Sequence, residues 1–269
     1  MGDRPQVLVR GTGDVGSAVA TVLFRAGYRL ALHDEPAPAT PRRGMAFADA
    51  IFDGAATLDG LTARRVGSAD ELRHVFCAGE IPVAVWPVGE LLHVAAWSVL
   101  IDARMRKRAG PECQRGMAPL TIGLGPNFIA GETVDLAIET SWGDRLGAVI
   151  TTGTPLPLGG EPQPLGGVAR ARFVYAPAAG CFATAARIGD RVAEGAVVAT
   201  IAGTPLHAPI AGVIRGLTHD GVEVSLRAKV IEVDPRDDRA AVFGLGARPR
   251  RIAEGVLSAL SRAHVAAPV

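Results

Sequence analysis

The chain is nearly without lysine: of its 28 basic residues only Lys107 and Lys229 are lysines, and the rest are arginines. Aromatic residues make up 5%, cysteines number three, and the formal net charge is +1. Each shortage excludes something. A near-neutral chain has no electrostatic footprint for nucleic acid or an anionic membrane, so neither is an expected partner. Cys77, Cys113 and Cys181 are scattered, with no C-x-x-C pair and no Cys/His cluster, so no zinc or iron–sulfur site is readable and no metal is expected. An odd, sparse count fits a reducing compartment, and the N-terminus runs into a strand pattern without a signal peptide. A cytoplasmic location is expected. The longest apolar stretch, 81–101, is broken by Pro82, Pro87, Gly89, Glu90 and His93. It never reaches the ~18 clean residues of a membrane span and reads as two buried strands joined by a loop.

Apolar residues are plentiful at 48%, which excludes disorder and allows a sizeable core. There are 33 glycines and 19 prolines among 269 residues, well above the usual combined share of about 12%. That mixture suits short strands and tight turns. At roughly 150 residues per domain, the length predicts two domains.

The N-terminal half opens with a strand at Gln6–Arg10, followed by Gly11, Gly13 and Gly16 in G-T-G-D-V-G. Val15, Val19, Val22, Leu23 and Ala26 then recur at helical spacing, and Gly27 is placed to end the helix. A second strand, 28–33, leads into Asp34. Strand, glycine turn, helix, strand and acid are the dinucleotide-binding fingerprint in its proper context. The glycines let a backbone approach phosphate at the helix N-terminus, and Asp34 stands near the position of a ribose-binding acid. Asp14 complicates this picture. A carboxylate there suits the helix dipole but repels phosphate, so a ligand-binding turn needs Arg10 or a metal to offset it. Otherwise Asp14 is a helix N-terminal residue and the glycines are packing devices.

Arg42 and Arg43 follow a proline-rich turn and face the expected cleft, either as phosphate ligands or as an exposed basic pair. Ser68–Glu71 is a capping box before a helix of about ten residues. Strands are expected at 81–86 and 97–101. Asp102 closes the second of these, as a site residue or a helix N-cap, and the basic run 104–108 reads as a solvated helix face. A strand at 120–124 ends in a turn containing Gly123, Gly125 and Asn127, which either lines a ligand or reverses the chain. Strands at 134–140 and 146–151 are joined by a turn at Gly143-Asp144.

The C-terminal half repeats itself. Residues 176–201 and 208–233 align without a gap at an offset of 32, with eight of 26 pairs identical, including Pro177/Pro209, Gly180/Gly212 and Gly189/Gly221. This period predicts two interlocked sets of short strands related by a pseudo-two-fold. Ile188–Gly195 followed by VVATI resembles the biotinyl/lipoyl carrier domain, a small flattened β-sandwich. The connection between the repeats, 202–207, has no lysine, so no covalent lipoyl or biotin is expected. His207 is its only titratable side chain and reads as a solvated turn residue. A final helix is expected at 250–262.

The order of motifs resembles the accessory proteins of the selenium-dependent molybdenum hydroxylase system, related in role to xanthine dehydrogenase accessory factors. The matching stretches are VLVRGTGDVGSAVA at 7–20, TPRRGMAFADAIFDG at 40–54, IDARMRKR at 101–108, APLTIGLGPNFIAGETVDLAIET at 118–140, LGG at 165–167, the lipoyl-like stretch, and IEVDPR at 231–236. The resemblance implies a bacterial cytosolic factor that matures, or inserts the molybdenum cofactor of, a hydroxylase client. It supplies no catalytic residues.

The expected fold class is α/β: a Rossmann-like parallel sheet with helices at 1–170, a lipoyl/biotinyl-like barrel-sandwich at 171–235, and a C-terminal helical tail at 236–269. Three functions stay open. One is a maturation factor holding a small phosphorylated ligand, a nucleotide (NAD(P) or an NTP) or molybdopterin, through Arg10, Gly11, Gly13, Asp14, Gly16, Asp34, Arg42, Arg43, Asp102, Gly123, Gly125 and Asn127. The second is a non-catalytic adaptor that docks the client. The third is an NAD(P)-dependent oxidoreductase, opposed by Asp14 and by the absence of a recognisable hydride-transfer set. A homodimer matching the pseudo-two-fold is a further possibility.

Overall fold

Runs of valine, leucine and isoleucine with apolar residues at successive positions suit strands buried on both faces, which is the condition of a parallel sheet covered by helices. The computed structural model describes residues 5–106, 110–157, 159 and 162–265. Nine strands form one sheet: β1 (Gln6–Arg10), β2 (Arg29–His33), β3 (Ala55–Leu58), β4 (Leu61–Val66), β5 (Ile81–Ala84), β6 (Trp97–Asp102), β7 (Leu120–Leu124), β8 (Leu136–Ile138) and β9 (Val149–Ile150). Their order is β3-β4-β5-β2-β1-β6-β7-β8-β9. Only the two edge strands, β3 and β9, pair antiparallel with their neighbours. The inner run β5-β2-β1-β6-β7-β8 has the doubly wound order, and its direction of winding reverses between β1 and β6.

The helices are α1 (Asp14–Arg25), α2 (Asp49–Asp53), α3 (Ala69–Cys77), α4 (Val88–Val94) and α5 (Ala247–Arg262). Helix α1 covers one face together with α5, whose Ile252, Ala253, Val256, Ala259 and Leu260 join the core of Val7, Val9, Leu30 and Leu32. Helices α3 and α4 cover the other face through Leu72, Val75 and Leu91, against Leu8, Ala31 and Leu100. Ser68 caps α3 as expected, its Oγ accepting from the Glu71 amide at 3.1 Å, while Glu71 reaches back to the Gly67 amide at 2.7 Å. Gly27, at φ +89°, follows the end of α1.

Three local expectations change. The strands of 81–101 are joined by α4 instead of a loop. The chain after β6 is not helical through Arg106, so Asp102 is no N-cap and Arg104 sits on no helix face; Lys107 and Arg108 lie outside the described residues. The β3–β4 hairpin was not anticipated, although Asp59-Gly60 at φ +49° and +78° is a fitting two-residue hairpin turn.

The C-terminal half forms two four-stranded antiparallel sheets from β10 (Phe173–Tyr175), β11 (Gly180–Ala183), β12 (Arg191–Val192), β13 (Val197–Ile201), β14 (Thr204–His207), β15 (Gly212–Leu217), β16 (Val222–Val224) and β17 (Lys229–Asp234). One sheet runs β10-β17-β15-β12 and the other β14-β13-β11-β16. Each repeat thus gives its short strand, β12 or β16, to the other repeat's sheet. Equivalent glycines share a backbone conformation: Gly180 and Gly212 lie at φ +152° and +154°. Equivalent hydrogen bonds recur too, the Ala176 amide to the Ala228 carbonyl and the Ala208 amide to the Ala196 carbonyl, each 2.8 Å. The symmetry extends upstream of the sequence repeat, because β10 occupies the place in its sheet that β14 holds in the other.

The long connection after β2 fastens this unit to the first. The Leu217 amide donates to the Pro41 carbonyl at 2.7 Å, and Arg43 Nε donates to the Leu217 carbonyl at 2.7 Å. No helix among the described residues is long and apolar enough to cross a membrane.

The seating of α5 is testable at one glycine. A Cβ on Gly255 would lie 2.1 Å from the Gly147 carbonyl oxygen, whereas one on Gly89 in α4 meets nothing within 4 Å. Urea denaturation should show Gly255→Ala losing about 2–3 kcal/mol through overpacking. Gly89→Ala should be neutral or gain up to about 1 kcal/mol.

Candidate functional site

The sheet ends its strands at the glycine turn that sequence reading singled out. Gly11 sits at φ +110°, and a Cβ on it would come within 3.0 Å of the Ala103 and Arg104 backbone. A Cβ on Gly16 would lie 1.9 Å from the Gly11 carbonyl oxygen, so α1 can start this close to β1 only with glycine there. Asp34 closes the turn. Its Oδ2 accepts from the Thr12 amide at 2.6 Å and the Thr12 hydroxyl at 2.7 Å, and its Oδ1 accepts from the Glu35 amide at 2.9 Å. With about four acceptor positions on a carboxylate, one remains for a ligand hydroxyl.

Helix α1 begins at Asp14 with Gly13 as N-cap and no side-chain cap from it, and Asp14 Oδ1 itself accepts from the Val15 amide at 3.0 Å. The Asp14 carboxylate is offset by Arg42, whose Nη1 donates to Oδ2 at 3.0 Å. Arg10, the expected counter-charge, points elsewhere. Arg42 grips a second acid with its other edge: Nε donates to Glu232 Oε2 at 2.8 Å and Nη2 to Oε1 at 3.1 Å. Glu232 lies in β17, fully buried, with Arg172 Nε at 3.2 Å, Arg215 Nε at 3.7 Å and Lys229 Nζ at 3.9 Å. Burial pushes the Asp14 carboxyl up, but Arg42 beside it outweighs burial and holds it below its usual range. Glu232 follows the same pattern, burial opposed by Arg42 first and then Lys229 and Arg215, with the net shift downward.

A second helix start reaches the same place. Helix α5 begins after Gly246, again without a side-chain cap, and carries Arg248 in its first turn. Arg248 Nε donates to the Thr140 carbonyl at 2.8 Å, and its two outer nitrogens have no hydrogen-bond partner among the described residues. Burial lowers its pKa, partly offset by the neighbouring charge of Asp14. Gly125 adjoins Thr140, at 3.0 Å from Thr140 Oγ1 to an added Cβ. Arg248, Lys229 and Glu232 were not singled out in the sequence. They lie more than 200 residues from the glycine turn, and no local signal in the sequence pointed to them.

The remaining candidates divide. Arg43 is held by Asp49, Nη1 to Oδ1 at 2.8 Å and to Oδ2 at 2.9 Å, and by Leu217, away from the turn. Gly123 lies under the Phe128 ring, whose nearest atom would be 2.2 Å from an added Cβ, so this glycine is required by packing. Asn127 adopts φ +77° within that turn. Arg10 and Asp102 are register partners on the α3/α4 face. Arg10 Nη1 donates to Glu112 at 2.6 Å, and Asp102 accepts from Arg104 and Gln114. Glu112 is pulled down to about 2; burial alone would raise it, and its bonds from Arg104 and Arg10 reverse that. Among the described residues Asp49, Asp53 and His219 also approach one another, with Asp49 already engaged by Arg43 and the His219 ring stacked on Phe52 at 3.9 Å.

These features define the class of the molecule: a mixed α/β protein whose mostly parallel nine-stranded sheet carries a glycine turn at its switch point, joined to two small antiparallel sheets, with the C-terminal helix packed on α1. The chain is homologous to the uncharacterized protein YqeB of Escherichia coli (strain K12), at 38% identity over 254 residues, 94% of this chain and 47% of that protein. It therefore spans about half the length of the curated relative it matches. No protein-family model matches. Among solved structures, the apo ectoine utilization protein EutE (DoeB) from Ruegeria pomeroyi is 15% identical, with 87% of each chain covered and a TM-score of 0.26. A succinylglutamate desuccinylase/aspartoacylase from Rhodobacter sphaeroides is 17% identical, covering 88% of this chain and 87% of that one, with a TM-score of 0.25.

Asp14 and Glu232 both ionise more readily in the folded chain than the ordinary 3.8 and 4.5. Such groups stabilise the fold fully above those values, and the contribution is lost as pH falls through the lowered ones. Arg42→Met raises both carboxyls, so its acid unfolding should begin at higher pH than that of the unaltered chain. At neutral pH the variant should lose about 3 kcal/mol, the low end for breaking a buried pair, because Arg172 and Arg215 stay beside Glu232. Urea unfolding across pH 3–8 checks both effects.

Proposed function

We propose that this chain is an accessory factor that matures a molybdenum hydroxylase, or inserts its molybdenum cofactor, and that it holds a phosphate-bearing ligand at the Gly11–Gly16 turn. The observation that carries the ligand part is the start of α1, whose N-cap Gly13 gives no side-chain cap, with Arg248 from the first turn of α5 near enough to Asp14 for their charges to act on each other and the charge of Asp14 balanced by Arg42. Unpaired N–H groups at a helix start and a guanidinium with free donors are what a phosphate requires. The hydroxylase client rests on the motif resemblance across 7–236. The ligand is a nucleotide, NAD(P) or an NTP, or molybdopterin through its phosphate.

The adaptor reading is favoured by one feature, the covering of the turn. Thr40 comes within 3.8 Å of an added Gly13 Cβ, and Ala103–Arg104 lie against Gly11. The oxidoreductase reading has less support, since Asp34 is largely engaged by Thr12 and Glu35.

A thermal-shift panel of NAD, NADP, ATP, CTP and molybdopterin decides between binding and docking. One member, at a hundred times its Kd, should raise Tm by roughly 5–10 °C. Arg248→Ala should abolish most of that shift while leaving the unliganded Tm within a few degrees. No shift with any member refutes the ligand-binding reading.

A further inference from the structure

We propose that the carboxyl ends of β2, β1 and β6 form, on the face opposite α1, a site for the amide-type edge of a heterocyclic base, an N–H next to a carbonyl or ring-nitrogen acceptor. This deepens the reading above, on which it rests: phosphate sits at the start of α1 and the base sits across the sheet edge.

His33, Arg10 and Asp102 end three adjacent strands in register, His33 opposite Arg10 and Arg10 opposite Asp102. Neighbouring strands lie about 4.8 Å apart, so the three form a row. Side chains two residues earlier, Ala31, Leu8 and Leu100, all pack with the α3/α4 core, which sets the face on which the row lies. The row stands where the sheet's winding reverses, the usual location of a ligand crevice in such sheets. It is buried: His33 is 7% exposed, Arg10 4%, Asp102 1%, and Gln114, bonded to Asp102, 0%.

Three buried polar atoms of this row have no partner among the described residues: Arg10 Nε, His33 Nδ1 and Gln114 Oε1. Buried polar atoms are nearly always paired, so three orphans in one connected group point to a missing partner. Their polarities are fixed by what surrounds them. His33 Nε2 lies 2.7 Å from the Trp86 carbonyl oxygen, which only accepts, so Nε2 carries the proton and Nδ1 of the neutral ring is an acceptor. Burial and the neighbouring Arg10 disfavour the charged ring and keep it neutral. Gln114 Nε2 donates to the Asp102 carboxylate, so Oε1 is an acceptor. Arg10 Nε can only donate. The group therefore offers one donor and two acceptors.

That pattern selects the ligand. A carboxylate or a fully ionised phosphate has no hydrogen for His33 Nδ1 or Gln114 Oε1. A metal cation has no acceptor for Arg10 Nε. A group with adjacent donor and acceptor meets both demands, as the edges of nucleobases and of a pterin ring do. The positive charge of Arg10 is already balanced by Glu112 and Asp102, so a neutral ring enters without a charge penalty.

The test uses the full chain and probes without phosphate: adenosine, guanosine, cytidine and 6-hydroxymethylpterin, with inorganic pyrophosphate as a separate arm. Binding is followed by calorimetry and by the ring-nitrogen resonances of ¹⁵N-histidine-labelled protein. At least one base should bind and move the His33 Nδ1 resonance; a nucleoside or the pterin as the tightest binder identifies the source. His33→Phe and, independently, Gln114→Leu should each weaken that base about fivefold, the worth of one hydrogen bond, and leave pyrophosphate binding unchanged. The proposal is overturned if no base moves the His33 resonance, or if every folded variant binds as tightly as the unaltered chain. Pyrophosphate binding in that event leaves the phosphate reading standing, while a base that binds without pyrophosphate binding removes the phosphate reading alone.

Discussion

Arg42 reaches in two directions from one guanidinium. One edge meets the first residue of α1 and the other meets Glu232, a carboxylate with no exposure to solvent. A buried acid is tolerable only with counter-charges in good geometry, and the bidentate Arg42 contact is the best aligned of the four cations around it. The ion pair has consequences along three paths. It anchors the connection after β2, it seats β17 against the sheet edge, and it cancels the charge that would otherwise repel an anion from the glycine turn. The backbone bond from Leu217 to Pro41 works in the same direction, and together they tie the interleaved β unit to the parallel sheet.

The sheet edge consequently has two chemical characters. Towards α1 and α5 it presents helix starts and arginine, suited to an anion. Towards α3 and α4 it presents His33, Arg10, Asp102 and Gln114, a neutral mixture of donors and acceptors. A single β-strand explains the division. Side chains alternate along β1, so Val9 faces the α1 core and Arg10 the opposite side.

That alternation also marks where sequence reasoning stopped. Strand, glycine turn, helix, strand and acid were legible because each carries a local signal: apolar runs, positive-φ glycines, helical spacing. The pseudo-two-fold was legible because the repeat preserves its glycines, down to matching φ at Gly180 and Gly212. The exchange of β12 and β16 between sheets was foreshadowed by the repeat but fixed only by tertiary pairing. Assigning Arg10 to Asp14 failed because closeness in sequence ignored which face the side chain takes. Arg42 was noticed, yet its partner in β17 lies 190 residues away and leaves no local trace. Arg248 was invisible for the same reason. Asp34 was read as a ribose acid; directly after β2, its bonds to Thr12 give it the task of holding the turn.

The central claim is that the start of α1 is an anion site whose one opposing charge, Asp14, is held in check by Arg42. Calorimetric titration of inorganic pyrophosphate into the unaltered chain and Asp14→Asn tests it most directly. The substitution removes the negative charge and leaves Arg42 gripped by Glu232. The account predicts measurable binding that tightens roughly tenfold in Asp14→Asn, a change of about 1.4 kcal/mol. Absent binding in both proteins, or equal or weaker binding in the variant, would contradict it.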